Sequence, residues 1–373
     1  MSIESTALNV PGLHKAHNII AKMLSDSGKD ITVEHFKKNG IPSLLAYKGK
    51  TRPANFRVIL GGHLDVVPAS PELFKATIKD GKLYGRGSHD MKAAAVILTD
   101  AFCEFVDKTP YPLGLQIVTD EENGGHNGAK YQVDSGVRGD FVICGECGRK
   151  NDRYEIANEA KGIAVINIEF AGTSAHGAYL WRGENAILRA MRFAEAILKR
   201  YPVPTEEVTH TTVNVFSLST NNTAYSKVPD HAALKLDVRF VPDDPNFRTK
   251  QHVASLIEEI DPQARITEFI NFEAPIYTNP ENPLLLQLKA AAEKVEGHTF
   301  NYVRRNATSD GRFFASKGDQ ACEFGIAGED QHGNNEHITL KAFENYRKTM
   351  HTFLKQTIKT EAKNINTQAF MAD

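Results

Sequence analysis

The sequence predicts an α/β chain with a mostly parallel central sheet, interrupted by an inserted ferredoxin-like α+β domain. Three observations lead there. Apolar strand runs alternate with helical segments up to Lys161, which is the pattern of buried parallel strands joined through helices. Between Lys161 and about residue 275 the order changes to β-α-β-β-α-β, the sequence of a ferredoxin-like sandwich. From Asn282 the α/β character returns, and 373 residues exceed what one core ordinarily fills. The larger domain is therefore assigned residues 1–161 and 276–373, and the insert 162–275.

Element by element, residues 13–26 read as an amphipathic helix and 43–48 as a strand. FRVILGG (56–62), PLGLQIVTD (112–120) and DFVICGE (140–146) are apolar strand runs, and 91–106 is a long helix rich in good helix formers. In the insert, 163–172 alternates as a half-buried strand, and a helix follows at 184–201. Strands at 211–219 and 232–241, a helix at 249–260 and a strand at 264–272 complete it. The last part holds a helix at 282–296, a strand-like HTFNYVRR, a short helix in DGRFFASKG, a strand in CEFGIAG and a terminal helix at 340–359. The polar residues 361–373 are expected to fray.

Composition narrows the function. With 41% hydrophobic and 24% charged residues and a formal net charge of −2, the chain lacks the basic excess of a nucleic-acid or anionic-membrane binder. No apolar run approaches the ~18–20 residues needed to cross a bilayer, and the N-terminus lacks a signal-peptide pattern. Four cysteines suit a reducing compartment, so the expected location is the cytoplasm. Cys144 and Cys147 have CxxC spacing, but no second pair completes a structural zinc site. The residue of interest between them is Glu146.

Five segments place His, Asp and Glu at the ends of predicted strands, where ligands gather in open α/β sheets. GGHLDVVP carries His63 and Asp65, two apart and so on one strand face. YGRGSHDMKAAA carries Asp90 just ahead of a helix, VTDEENGG carries Glu121 and Glu122, ICGEC carries Glu146, and GEDQHGNNEH carries His332. Singly, each fits a structural role: a satisfied histidine, a helix N-cap at Asp90, solvated turn carboxylates. Buried together, Glu121 and Glu122 would repel unless a cation neutralised them.

Taken together, these segments resemble the dinuclear-zinc peptidase and deacylase family, which includes acetylornithine deacetylase, succinyl-diaminopimelate desuccinylase, aminoacylase and G-type carboxypeptidases. FAGTSAHGAYLWRGENAI resembles the start of that family's smaller domain, and TSDGRF its substrate-binding loop. The resemblance implies a zinc-peptidase-like catalytic domain with two zinc ions per subunit, cobalt or manganese being possible substitutes. His63 and Glu146 would hold one ion, Glu122 and His332 the other, and Asp90 would bridge them. Three carboxylates and one hydroxide would offset the four positive charges. Zinc would lower the pKa of bound water to about 7. Glu121 would act as general base, and Asp65 would orient His63.

The resemblance further implies that His176 stabilises the oxyanion, in relatives often across a subunit boundary. It thus implies a homodimer joined through the inserted lid and dimerisation domain. Arg312 and Arg239 would meet a substrate carboxylate, with a structural ion pair as the alternative for Arg239. The expected activity is hydrolysis of a small amide or peptide, as an N-acyl amino acid deacylase or carboxypeptidase-like enzyme. A dipeptidase or aminopeptidase is the alternative, and an inactive metal-binding regulatory module a more distant one. Three features depart from the family: Ser226-Lys227-Val228-Pro229 where Asn-x-Val-Pro is common, Ala307 for a glycine, and a shorter N-terminal region.

Overall fold

The computed structural model describes residues 1–146 and 155–372. The chain divides into two compact units. One comprises Met1–Glu159, Tyr277–Val303 and Ser309–Asp373, the other Ala160–Ile276 and Arg304–Thr308. Sequence pattern alone does not separate that last pentapeptide from the larger domain.

In the first unit, strands Leu113–Val118, Val58–His63, Phe141–Cys144 and Gln320–Glu323 lie side by side and parallel. Nearly every residue in them is buried, as continuous apolar strands covered on both faces should be. The flanks are antiparallel. Ile41–Lys48 pairs with Leu113–Val118, Ile31–Lys38 with Ile41–Lys48, and Glu155–Ala160 with Gln320–Glu323. The sheet is thus mixed around a parallel centre rather than parallel to its edges.

The strand Ile31–Lys38 is absent from the sequence reading, and its cause is local. Asn39 and Gly40 both take positive φ, 51° and 84°, the geometry that closes a two-residue hairpin. The first helix, Val10–Asp26, starts earlier than its apolar spacing suggests, because the Asn9 side chain accepts from the Gly12 N–H. The terminal helix runs Leu340–Ala372, well beyond residue 359. Helices Lys92–Phe105 and Pro283–Glu296 contribute Leu98, Phe102, Leu285 and Leu288 to one core with Met350 and Phe353.

A small antiparallel sheet joins two distant loops. Its strands, in order, are Gly328–Glu329, His337–Thr339, Lys82–Tyr84 and Thr77–Lys79. The segment CEFGIAG is therefore not one strand. Gln320–Glu323 joins the main sheet, and Gly328–Glu329 joins this smaller one.

The second unit carries a four-stranded antiparallel sheet in the order Thr212–Ser219, His231–Phe240, Gly162–Ala171, Arg265–Glu273. With helices Ala186–Arg200 and Lys250–Ile260 between strands, its chain order is the predicted β-α-β-β-α-β. Burial alternates strictly along His231–Phe240, and the buried faces meet Phe193, Ile197, Leu256 and Ile257 from the helices. Among the described residues, no helix is long and apolar enough to cross a membrane.

Candidate active site

The parallel strands all present their carboxyl ends on one side, and the expected residues stand there. His63 is the last residue of its strand; Glu121 and Glu122 open a short 3-10 turn just after Val118, and Glu146 follows Cys144 by two. Asp90 comes from the start of the helix on the adjacent layer. That helix lies close because Gly62 has no side chain: a Cβ there would sit 2.9 Å from Met91 Cε and 3.4 Å from Ala95 Cβ. Asp90 does not cap the helix. The cap position is Met91, without a side-chain hydrogen bond, and the Asp90 carboxylate turns to the histidines instead.

Asp90 Oδ1 lies 3.0 Å from His63 Nε2, and its Oδ2 lies 3.2 Å from His332 Nε2. His332 Nε2 is also 3.2 Å from Glu122 Oε1, while His63 Nε2 is 3.9 Å from Glu146 Oε1. Two groups of donor atoms result, each within 4.8 Å: His63, Glu121 and Glu146 in one, Asp90, Glu122 and His332 in the other. One carboxylate thus touches an imidazole of each group. Glu121, expected to stand apart from the metal donors, shares the first group. His332 itself takes positive φ, 61°, within the loop that brings it in.

Electrostatics bear on whether this set fits cations. Burial, then repulsion from Glu121, pushes Glu146 well above the usual carboxylate range. Burial likewise pushes Glu121 well up, with His63 only partly opposing it. Burial works against the Asp90 charge too, yet hydrogen bonds from His332 and His63 hold it well below the ordinary value. Its hydrogen bonds to Asp90 and Glu122 raise His332 to about 10. Four carboxyl groups crowd around two imidazoles, and burial disfavours the negative charge of Glu121 and Glu146. Divalent cations would supply the compensating charge, so the donors fit a dinuclear centre of mixed nitrogen and oxygen ligands.

Asp65 is fully buried and does two things. His63 Nδ1 lies 3.1 Å from its main-chain oxygen and 3.4 Å from Oδ1, and Oδ2 accepts from the Glu122 N–H at 2.9 Å. It ties the ring on one strand to the turn after the next. Two further residues escaped the sequence reading. Glu336 is fully buried and accepts from the N–H groups of Gly87, His89 and Asp90 and from the Arg86 guanidinium, so it shapes the loop that delivers Asp90. Gln331 donates to Asp90 Oδ2 at 2.6 Å. A signal for Glu336 was present in the Gly85-Arg86-Gly87 turn, whose free amides need an acceptor, but nothing in the sequence names the partner.

Arg312 is 4% exposed and donates from Nη2 to the Gly124 carbonyl at 2.7 Å. In the second unit, His176 is exposed; its Nδ1 accepts from the Ala178 N–H at 3.1 Å and its ring centroid lies 5.5 Å from that of Tyr179. Arg239 pairs with Asp237 through Nε and Nη2, one edge of its guanidinium, at 3.0 and 3.3 Å, an ion pair of the kind the alternative expectation named. Cys144 is a buried free thiol raised well above its ordinary pKa, first by burial. Cys147, the other half of the CxxC spacing, lies outside the described residues.

Residues 59–356 match peptidase family M20/M25/M40. The chain belongs to this family. It is 30% identical over 354 residues to the succinyl-diaminopimelate desuccinylase of Paraburkholderia xenovorans (strain LB400), covering 87% of this chain and 89% of that one. In fold it resembles an M20 family metallo-carboxypeptidase from Sulfolobus solfataricus, with a TM-score of 0.70, 18% identity and coverage of 95% and 96%. It also resembles the aminopeptidase PepT of Bacillus cereus ATCC 10987, with a TM-score of 0.69, 20% identity and coverage of 91% and 92%. As a member of M20/M25/M40 the chain is a metal-dependent hydrolase of amide bonds, and its two donor groups are candidates for the family's dinuclear centre.

Proposed function

We propose that this hydrolase removes the acyl group from an N-acyl amino acid or a similar small carboxylate-bearing amide. Similarity to a succinyl-diaminopimelate desuccinylase supports the acyl substrate, and Asp90 supports the metal centre, since its two oxygens meet one imidazole from each donor group. His63 and Glu146 would hold one ion, Glu122 and His332 the other, and Asp90 would lie between them. Zinc suits this mixture of imidazole and carboxylate, with cobalt or manganese as substitutes, and would polarise the carbonyl while making water acidic enough to attack at neutral pH.

The chain supplies the rest. Glu121 accepts a proton from the attacking water and returns it to the departing amine nitrogen, so the base is regenerated each cycle. Its carboxylate has an oxygen within 4.8 Å of donor atoms of His63 and Glu146, which supports that role. Asp65 keeps the His63 ring and the Glu122 backbone in register. His176 donates to the oxygen that gains charge in the transition state. Arg239, exchanging its half-exposed pair with Asp237, meets the substrate carboxylate, a task the family resemblance also implies for Arg312.

A homodimer through the second unit fits the apolar side chains this unit leaves exposed. Leu188 and Met191 lie on its helix, and Phe216 and Leu218 on its edge strand. The free cysteines Cys103, Cys144 and Cys322 suit the cytoplasm. The test is a panel of N-acetyl and N-succinyl amino acids and dipeptides, assayed on metal-stripped protein with zinc added back. Released acetate or succinate supports deacylation. Release of free amino acids from dipeptides alone moves the activity to the peptidase branch, and no turnover at any zinc level overturns both.

A further inference from the structure

The turn that carries Glu121 and Glu122 is gripped from behind by a second element, and that grip does not involve the proposed metal donors. Glu121–Asn123 form a single 3-10 turn that ends at Gly124, whose φ is 91° and whose N–H donates to the Glu121 carbonyl at 2.8 Å. A turn this short has few internal bonds to hold it. The Gly124 carbonyl is taken by Arg312 Nη2 at 2.7 Å. One residue further, Gly125 stands against the short helix Gly311–Ala315 that carries Arg312 and its cap residue Asp310: a Cβ there would lie 2.1 Å from Asp310 Oδ1 and 2.8 Å from Phe313 Cε2.

Arg312 is buried inside the protein. Its guanidinium carbon stacks 4.2 Å over the Phe313 ring, its Nη1 faces Asp310 Oδ1 at 4.0 Å, and Asp310 is itself buried. A side chain meant to clamp a substrate carboxylate needs its planar fork open to the cleft. Here Nη2 is given to backbone and Nη1 turns toward a buried acid, while Nε is buried without a hydrogen-bond partner.

We infer that Arg312 and Asp310 are positioning residues, a clamp that holds the Glu121–Gly125 turn so that Glu121 and Glu122 face the site, and that Arg312 does not anchor the substrate carboxylate. The inference rests on the proposed hydrolase site and corrects one of its assignments. Its consequence is that loss of Arg312 damages turnover and metal retention together, whatever charge the substrate carries. A displacement of about 1 Å in a reacting group costs on the order of 100-fold in rate. Loss of a group that orients a metal ligand costs about 10–100-fold in metal affinity or activity.

The experiment compares wild type with Arg312→Gln and Asp310→Asn, using paired substrates that differ only in a free α-carboxylate or its carboxamide. Zinc affinity of the metal-stripped proteins is measured separately by competition with a chelating dye. Both variants should lose about 30–100-fold in kcat on both substrates, with KM changed less than threefold, and zinc should bind the weaker of its two sites at least tenfold more loosely. If Arg312→Gln instead raises KM on the carboxylate substrate alone, with kcat and zinc affinity intact, Arg312 is a substrate anchor and the inference fails. If neither wild-type substrate is turned over, the deacylase proposal has failed, and the zinc arm still decides this one. Circular dichroism identifies a variant that unfolds. Arg312→Lys, which keeps a donor near Gly124, should then recover zinc affinity to within a fewfold of wild type, and failure to do so overturns the clamp.

Discussion

The two compact units hold their candidate site residues differently. The first buries most of its own, with His63, Asp65, Asp90, Asp310, Arg312 and Glu336 all buried and His332 exposed. The second keeps its candidates outside, with His176 exposed and Arg239 paired to a neighbour on its own strand. Burying a charge costs several kcal/mol unless it is paired or ligated, so a fold that concentrates such groups in one place has a use for them there. Both candidate donor groups lie in the first unit. The roles proposed for His176 and Arg239 rest on side chains presented at the surface of the second, so their loss should be felt differently.

The sharpest break between the units is expected at Glu121. Glu121→Gln should lower kcat by about 10²–10⁴-fold, the range for a positioned acid–base group, while zinc content stays near that of the wild type. Turnover near wild type would remove Glu121 from proton transfer. Next, Glu336→Ala should destabilise the protein by about 3–5 kcal/mol, because it strands the buried Arg86 and three amide donors. Denaturant unfolding measures it. His176→Ala should leave stability alone and cost about 10²–10³-fold in kcat, the value of one oxyanion donor. An alanine variant with normal turnover would take the second unit out of the chemistry.

The smallest effect is graded with pH. Without metal, hydrogen bonds to Asp90 and Glu122 raise His332 from 6.5 to about 10, so it is protonated at neutral pH and must lose that proton to bind a cation. Zinc affinity should therefore rise with pH through 6–8, by about tenfold per unit for each proton released. Calorimetric titration in buffers of different protonation enthalpy counts those protons. The linkage has a matching sign in the metal-free protein. The stabilisation from charged His332 is complete below its unfolded value of 6.5 and is lost as pH rises through about 10.

Much of this was legible in sequence because strong periodicity and strand ends are local signals. The four parallel strands, the β-α-β-β-α-β order and the candidate donors His63, Asp90, Glu122, Glu146 and His332 each lie in a segment whose pattern is self-contained. What escaped depends on closure over long distances or on elements too short to have a period. Glu336 acts on amides about 250 residues away, and Arg312 on a carbonyl 188 residues away. The three-residue strands Thr77–Lys79 and Lys82–Tyr84 cannot show alternation. The hairpin strand Ile31–Lys38 is only half-buried, so its turn at Asn39 and Gly40 was a better sign than its hydropathy.

Whether Asp90 joins two cation sites can be measured directly by titrating metal-stripped wild type and Asp90→Asn with zinc and counting equivalents bound. Wild type should take up two per chain, and the variant should bind both more weakly, because one carboxylate serves both groups. Uptake of a single equivalent by wild type, or two tight equivalents retained by Asp90→Asn, would contradict the shared-carboxylate centre.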